Sequence, residues 1–226
     1  MQEIYTLPQE FVLLASDRET HKWRKPLQAY LETYAAGATL IELLSEEAIR
    51  LGDKGKLEVN RREEDEDDAA RFLLNHLEQA KPQTLKKWVQ SFYSRGKVRS
   101  ALFQTIISPL IASGALKEER YRVMFLFTAR RYVPSAAAKD RIVQRIRAEP
   151  LENGPVTPQT AMLAMMLGMS KLLRNYFSEY ESRELKARLQ RMHEEEGEQW
   201  ESIRLIRKAI EEIDAVMTTV VVTASV

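Results

Sequence analysis

Histidine is the first side chain to consider for metal binding or proton transfer, and the sequence has three: His21, His76 and His193. Three glutamates follow His193, but neighbouring residues of a helix point in different directions, and no HExxH pattern is present. A solvated helix face is therefore the favoured interpretation of that cluster. His76 falls within an amphipathic pattern and is expected to be structural. The spacing of these residues predicts no metal site.

The motifs of common catalytic sites are also missing from the sequence. It contains no cysteine, which excludes disulfides, thiolate zinc sites and cysteine nucleophiles. No phosphate-binding glycine loop and no GxSxG nucleophile elbow occurs. The run EEDEDD (residues 63–68) is a dense charge cluster of the kind that normally faces solvent, whereas a catalytic acid and base need different environments. We therefore expect a binding protein that is not an enzyme and has neither catalytic residues nor a cofactor.

Aromatic and basic residues occur together in three places, HKWRK (21–25), KKW (86–88) and RGKVR (95–99). Tryptophan favours the membrane interface, and nearby lysine and arginine attract anionic lipid. The same combination could contact the phosphates and bases of nucleic acid. These clusters are the candidate binding residues of the chain.

The two tryptophans in these clusters differ in their surroundings. Trp88 lies at helical spacing with Leu85 and Phe92 and is expected to be in the core. Trp23 lies in a charged segment before a proline, without an apolar stripe, so exposed and buried positions are equally expected.

Charge is distributed unevenly along a chain whose net charge is only +1. Residues 81–147 contain 15 Lys and Arg but 3 Asp and Glu, a local surplus of 12 positive charges. A fold that collects these charges on one face would attract phospholipid headgroups, nucleic acid or an acidic partner. The alternative is that the charges are spread over solvated helix faces.

Composition points to a globular protein in a reducing compartment. The 226 residues are 44% hydrophobic and 30% charged, and the absence of cysteine is typical of the cytoplasm. The N-terminus does not resemble a signal peptide, and the longest apolar stretches are too short to cross a bilayer. A cytoplasmic location, extending to the membrane periphery, is expected.

Helical periodicity and capping signals predict most of the chain to be α-helical. The predicted helices are Leu7–Ala15, Pro26–Leu44, Asp68–Gln79, Pro82–Tyr93, Val98–Ser113, Pro134–Ala148, Gln159–Tyr176, Ser182–Glu196 and Glu198–Thr218. Gly37 is expected to allow a neighbouring helix to approach closely. Pro109 is expected to kink or split its helix, and Gly114 to follow as a C-cap. The C-terminal run TTVVVTASV is either held helical by packing or extended.

Two segments are predicted to be β-hairpins. Ile49–Val59 has a turn signal at Gly52–Gly55, and Leu116–Tyr132 contains the apolar run VMFLF (123–127), interpreted as a strand. The fold class predicted is therefore mainly α. We expect a single compact helical domain over residues 1–226, with one or two small β-hairpins.

The order of several short motifs resembles the Golgi phosphoprotein 3 family. LPQEFVLLASDRET (7–20) is similar to the opening of that family, and GATLIELL (37–44) is similar to its G-x-x-L-x-E-L helix. Further similarity lies in KPQTLKKWVQ (81–90), LIASGAL (110–116) and PQTAMLAMMLGMSKLLRNYF (158–177). The resemblance covers nearly the whole chain in order.

This resemblance implies a peripheral membrane protein that binds phosphatidylinositol 4-phosphate in a shallow basic pocket. Family pockets use a tryptophan and an arginine near the G-x-x-L-x-E-L helix, and two basic residues on the helix before the Gly-hydrophobic-Leu turn. Here Ala36 stands where the family arginine would be, and counting back from Gly114 reaches Ser100 and Phe103. Basic residues lie about one helical turn earlier.

The leading prediction is a peripheral adaptor that docks on anionic phospholipid headgroups. The lipid-binding residues predicted are Trp23, Arg24, Lys25, Arg95, Lys97 and Arg99. One alternative is a protein-interaction module that acts through its hairpin and helices, including self-association. Another is a nucleic-acid-binding regulator, which the lack of a helix-turn-helix signature disfavours.

Overall fold

The computed structural model describes residues 5–16, 27–60, 67–123, 127–152, 154–194 and 198–224. These residues form a compact, mainly α fold with two small antiparallel hairpins, which confirms the predicted fold class. The helices are α1 (Leu7–Ala15), α2 (Leu27–Ser45), α3 (Asp68–Glu78), α4 (Leu85–Ser94), α5 (Gly96–Ala112), α6 (Ala136–Ile146), α7 (Pro158–Met169), α8 (Glu179–Glu194) and α9 (Glu198–Ala224). The strands are β1 (Ile49–Leu51), β2 (Leu57–Val59), β3 (Leu116–Val123) and β4 (Phe127–Pro134).

The short helix α1 lies at the centre of the molecule. Every side chain from Leu7 to Ala15 is buried, and the helix packs against α2, α5, α6 and α7. Its apolar side chains supply much of the core, because burying one Leu or Phe side chain contributes roughly 1.5–3 kcal/mol. A helix buried on all sides must also find partners for the backbone groups at its two ends.

Those partners come from distant parts of the sequence. The Leu7 N–H donates to Glu42 Oε1 at 2.6 Å, and Gln159 Nε2 donates to the Tyr5 carbonyl at 2.8 Å. At the other end, the Tyr176 hydroxyl donates to the Leu14 carbonyl. Elements α2, α7 and the segment after α7 are therefore fastened to the ends of α1.

A buried ion pair joins α1 to α6. Glu10 is only 2% exposed, and its two oxygens accept from Arg145 Nη1 at 2.8 Å and Nη2 at 2.6 Å. Burial raises the pKa of the Glu10 carboxyl, and the Arg145 guanidinium opposes that rise. Arg145 is thus the partner without which Glu10 would be a lone buried charge.

The glycine in α2 allows α9 to pack closely, as predicted. A Cβ placed on Gly37 would lie 3.0 Å from Ile213 Cδ1, closer than side chains normally approach. One turn earlier, the Tyr34 hydroxyl donates to Asp214 Oδ1 at 3.2 Å. The C-terminal helix is therefore aligned on α2 by one close contact and one hydrogen bond.

Both predicted hairpins are present, but one strand prediction was wrong. Strands β1 and β2 join through a 3₁₀ turn at Asp53–Gly55, where the turn was expected. In the second hairpin, VMFLF is not one apolar strand: Val123 ends β3 and Phe127 begins β4, and residues 124–126 lie outside the described ranges. The strands themselves are rich in charge, and their register places Glu118 opposite Tyr132 and Glu119 opposite Arg131.

Helix ends differ from the predictions in the second half of the chain. The helix that begins at Pro158 stops at Met169 and not at Tyr176, because Lys171 has a positive φ of 61° and a 3₁₀ turn follows at Leu173–Asn175. Helix α5 continues past Pro109 without the predicted split. Its C-cap is Ser113, one residue before the predicted Gly114, which follows in the left-handed region with a φ of 78°.

The β-branched end of the chain stays helical as far as Ala224. Val216 and Met217, just before the Thr-Thr-Val-Val-Val run, are buried in the core. The segment is therefore helical and not extended, and the residues just before the run are packed against the rest of the protein.

We expect Arg145→Met to lower the free energy of unfolding by about 3–5 kcal/mol, because it leaves the Glu10 carboxylate buried without its partner. Urea unfolding at neutral pH measures the change. Arg131→Met is the matched control: its pair with Glu119 is largely exposed, so a loss of about 1 kcal/mol or less is expected. Equal losses in the two variants would contradict the structural role of the buried pair.

Glu42 predicts a pH dependence of stability. Burial raises the pKa of its carboxyl from 4.5 to about 8, with neighbouring carboxylates adding to the rise and the Leu7 N–H opposing it. The folded state therefore holds the Glu42 proton more tightly than the unfolded chain. This contribution to stability is complete below about pH 4.5 and is lost as the pH rises through about 8.

We expect Glu42→Gln, which keeps an oxygen for the Leu7 N–H, to lose less stability than the wild type over that pH range. Urea unfolding at a series of pH values measures the slope. Glu152→Gln, at an exposed position with an equal change of charge, should keep the wild-type slope. The interpretation fails if both variants follow the wild-type curve.

Candidate functional site

The described part of the predicted site lies where α4 meets α5. Arg95 is the single residue between the two helices, with φ −99° and ψ 76°, and it serves as the C-cap of α4 and the N-cap of α5. Its side chain and that of Lys97 are exposed. Neither forms an ion pair with a residue that the structure describes, so both cations face solvent at this junction.

The start of α5 adds to the positive potential of the junction. The first turn of this 17-residue helix contains no acidic residue, and no side chain caps its N-terminus by a hydrogen bond. The amide groups at a helix N-terminus carry partial positive charge and favour anions. Lys97, in that first turn, therefore lies at a helix end of the same sign, whereas Arg95 also caps the C-terminus of α4, where the partial charge is negative.

Arg99, the third predicted cation of this cluster, faces inward. Its Nε donates to Glu32 Oε2 at 2.8 Å, and Glu32 is 5% exposed. Its Nη1 donates to the carbonyls of Phe92 and Tyr93 at the end of α4. Since the side chain is only 13% exposed, Arg99 fastens α2, α4 and α5 together and offers little surface to a ligand.

In the cluster KKW, the two lysines lie on the surface and the tryptophan lies in the core. Lys86 and Lys87 are exposed on α4, whereas Trp88 is 1% exposed, as predicted, and its ring packs against Phe92 and His76. Burial lowers the pKa of the His76 imidazole, and the Arg95 charge lowers it further. The two lysines extend the exposed positive charge along α4 without an aromatic group beside them.

The remaining predicted site residues, Trp23, Arg24 and Lys25, lie outside the described residues. They precede α2 in the sequence, and α2 is the helix whose Glu32 is paired with Arg99. Their part in the site stays a prediction.

The surplus of positive charge in residues 81–147 is not displayed on the surface as a whole. Arg145 is paired with Glu10, and Arg147 donates to Glu181 Oε1 at 3.0 Å and to the Tyr176 carbonyl. On the large hairpin, cations face the two glutamates of β3; the ion pairs join Lys117 and Arg131 to Glu119, and Arg120 and Arg130 to Glu118. The count for residues 81–147 missed the partners of Arg145 and Arg147, because Glu10 and Glu181 lie outside that range, whereas Glu118 and Glu119 lie within it.

The positions matched to the family pocket are filled by packing in this protein. Ala36 and Phe103 are both 0% exposed, and the Phe103 ring meets the Tyr132 ring edge-on at 5.5 Å. Ser100 is half-buried. A headgroup cannot reach Ala36 or Phe103 without displacing core side chains, and the exposed cations of this region, Arg95 and Lys97, lie about one turn earlier in the chain.

The described ranges contain neither a candidate metal site nor a membrane-spanning helix. There, no group of three or more His, Asp or Glu side chains is arranged to hold a metal ion. None of the helices traced in those ranges is both long and apolar enough to cross a membrane. Even the 27-residue α9 carries charged residues from Glu198 to Asp214.

Comparison with known proteins places the chain in a family. No curated protein matches it. The family model described as Golgi phosphoprotein 3 matches residues 7–213, from the first residue of α1 to a position within α9. That span contains the buried α1, the glycine-containing α2, the large hairpin and the methionine-rich α7. The chain therefore belongs to the Golgi phosphoprotein 3 family.

Proposed function

We propose that this protein is a peripheral, adaptor-like protein that docks on anionic phospholipid headgroups and acts by binding, not by catalysis. The docking surface comprises Arg95 and Lys97 at the α4–α5 junction, with Trp23, Arg24 and Lys25 from the segment before α2. The observation that carries the proposal is the pair of exposed cations at the N-terminus of a long helix without acidic residues in its first turn.

Arg99 has a positioning role in this proposal. It holds the N-terminal half of α2 against the start of α5 through Glu32, so the N-terminal end of α2 and the junction lie at adjoining ends of packed helices. Attraction to the membrane is then mainly electrostatic, at ~1 kcal/mol for each Lys or Arg near the surface. Because the positions of the family pocket are filled, general anionic headgroups are the proposed ligands, and phosphatidylinositol 4-phosphate is one member of that class.

The double variant Arg95→Gln/Lys97→Gln should bind phosphatidylserine-containing vesicles about 30-fold more weakly, since two cations at ~1 kcal/mol each are lost. Vesicle co-sedimentation measures the partition. The matched control is Arg191→Gln/Lys208→Gln, which removes the same charge from exposed positions on α8 and α9 and should leave binding within about twofold of wild type.

Three vesicle compositions and one competitor make the test specific. Neutral phosphatidylcholine vesicles should not bind, and those with phosphatidylserine or with phosphatidylinositol 4-phosphate should bind in a salt-sensitive way. Equal, salt-insensitive binding to neutral and anionic vesicles would overturn the proposal. So would random duplex DNA that binds more tightly than either anionic vesicle at the same salt concentration.

Arg99→Gln separates positioning from binding. It leaves Glu32 buried without its cation and should lower the free energy of unfolding by about 3 kcal/mol or more, whereas Lys97→Gln should change it by about 0.5 kcal/mol or less. Urea unfolding measures both. A stable Arg99→Gln variant that lost vesicle binding would instead make Arg99 a direct lipid contact.

A further inference from the structure

A cavity lies between α7, α8 and α9, away from the proposed docking surface. Its volume is about 350 Å³, within the range of roughly 300–1,000 Å³ that small-molecule sites occupy. Its walls come from α7, from the 3₁₀ turn that follows it, and from the facing sides of α8 and α9. It contains none of the residues of the proposed docking surface.

The floor of this cavity is apolar. Met165, Gly168 and Met169 of α7 are half-buried, with Leu173 and Leu189 beside them. The opposite side of α7 packs into the core, so these residues are an apolar surface that the described core does not cover. Methionine side chains are flexible and polarizable and adapt to the shape of an apolar ligand.

Gly168 lies in the floor of the cavity, next to the last residue of α7, and its lack of a side chain leaves space there. A Cβ added there would lie 3.3 Å from Leu173 Cδ1, which is tighter than most side-chain contacts. The glycine therefore lets Leu173 close one end of the cavity without filling it.

The two charged side chains that line the cavity are both positive. Lys186 is exposed on α8 and forms no ion pair with a described residue. Arg207 of α9 is held by Gln190, one helical turn after Lys186, through an Nη1–Oε1 hydrogen bond of 2.8 Å. Arg207 also pairs with Glu211, which is exposed and does not line the cavity.

We infer that this cavity binds a long-chain fatty acid. Its alkyl chain lies against the two methionines and two leucines of the floor, and its carboxylate meets Lys186 and Arg207 at the rim. The combination decides the ligand class: a purely apolar ligand would leave Lys186 at the rim without an anionic partner, and a small anion would leave the apolar floor exposed to water. This inference does not rest on the proposed docking on membranes.

Titration with myristate below its micelle-forming concentration, followed by isothermal calorimetry, tests the inference. We expect saturable binding at one site per chain. Lys186→Glu should weaken it about tenfold or more, because an attraction at the rim becomes a repulsion. Arg191→Glu, with the same charge reversal on an exposed part of the same helix, should leave it within about twofold.

A filling variant and a neutral analogue complete the experiment. Met165→Trp should abolish binding by occupying the cavity, and circular dichroism should show wild-type helix content. Myristyl alcohol, which lacks the carboxylate, should bind wild type and Lys186→Glu equally. The inference is overturned if the wild type shows no saturable myristate binding, or if neither Lys186→Glu nor folded Met165→Trp changes it.

Discussion

The complete burial of a nine-residue helix is the constraint on which the rest of this structure depends. Helix α1 is too short to be stable alone, and both its ends and its Glu10 side chain lie away from solvent. Each must be satisfied by a side chain of the protein itself: Glu42, Gln159, Tyr176 and Arg145 do so from positions up to 162 residues away. The fold is thus assembled around α1, and the family match begins at its first residue.

The same constraint separates the arginines into two roles. Arg99 and Arg145 neutralise glutamates that are almost fully buried, and Arg147 fastens the end of α6 to α8. Removing a cation from such a pair leaves an uncompensated charge in a region of low dielectric, so these arginines are fixed by folding. Arg95 and Lys97 have no such task among the described residues, and with the exposed Lys86 and Lys87 they remain available to an external anion.

Signals between residues close together in the sequence, such as helical spacing and a glycine within a helix, predicted the features of the fold that depend on neighbouring residues. The spacing of Leu85, Trp88 and Phe92 identified the buried face of α4, and Gly37 identified a close helix contact. What could not be predicted depends on partners far along the chain: the inward direction of Arg99, and the end of α7 at a positive-φ lysine. The run VMFLF misled because apolar content favours a strand, whereas the actual strands β3 and β4 are stabilised by cross-strand charge pairs such as Glu119 and Arg131.

The packing of α2 against α5 also limits what kind of recognition the proposed docking surface can perform. Arg99 is paired with Glu32, and Ala36 and Phe103 are buried, so these three positions offer no entry to a headgroup. Cations held on a rigid surface without a cavity select for charge density and not for headgroup shape, because no buried polar groups are left unpaired by the wrong ligand. Under the proposed function, a packed aromatic contact in place of a basic pocket would keep the scaffold of the family, and recognition would rest on electrostatics and not on fit.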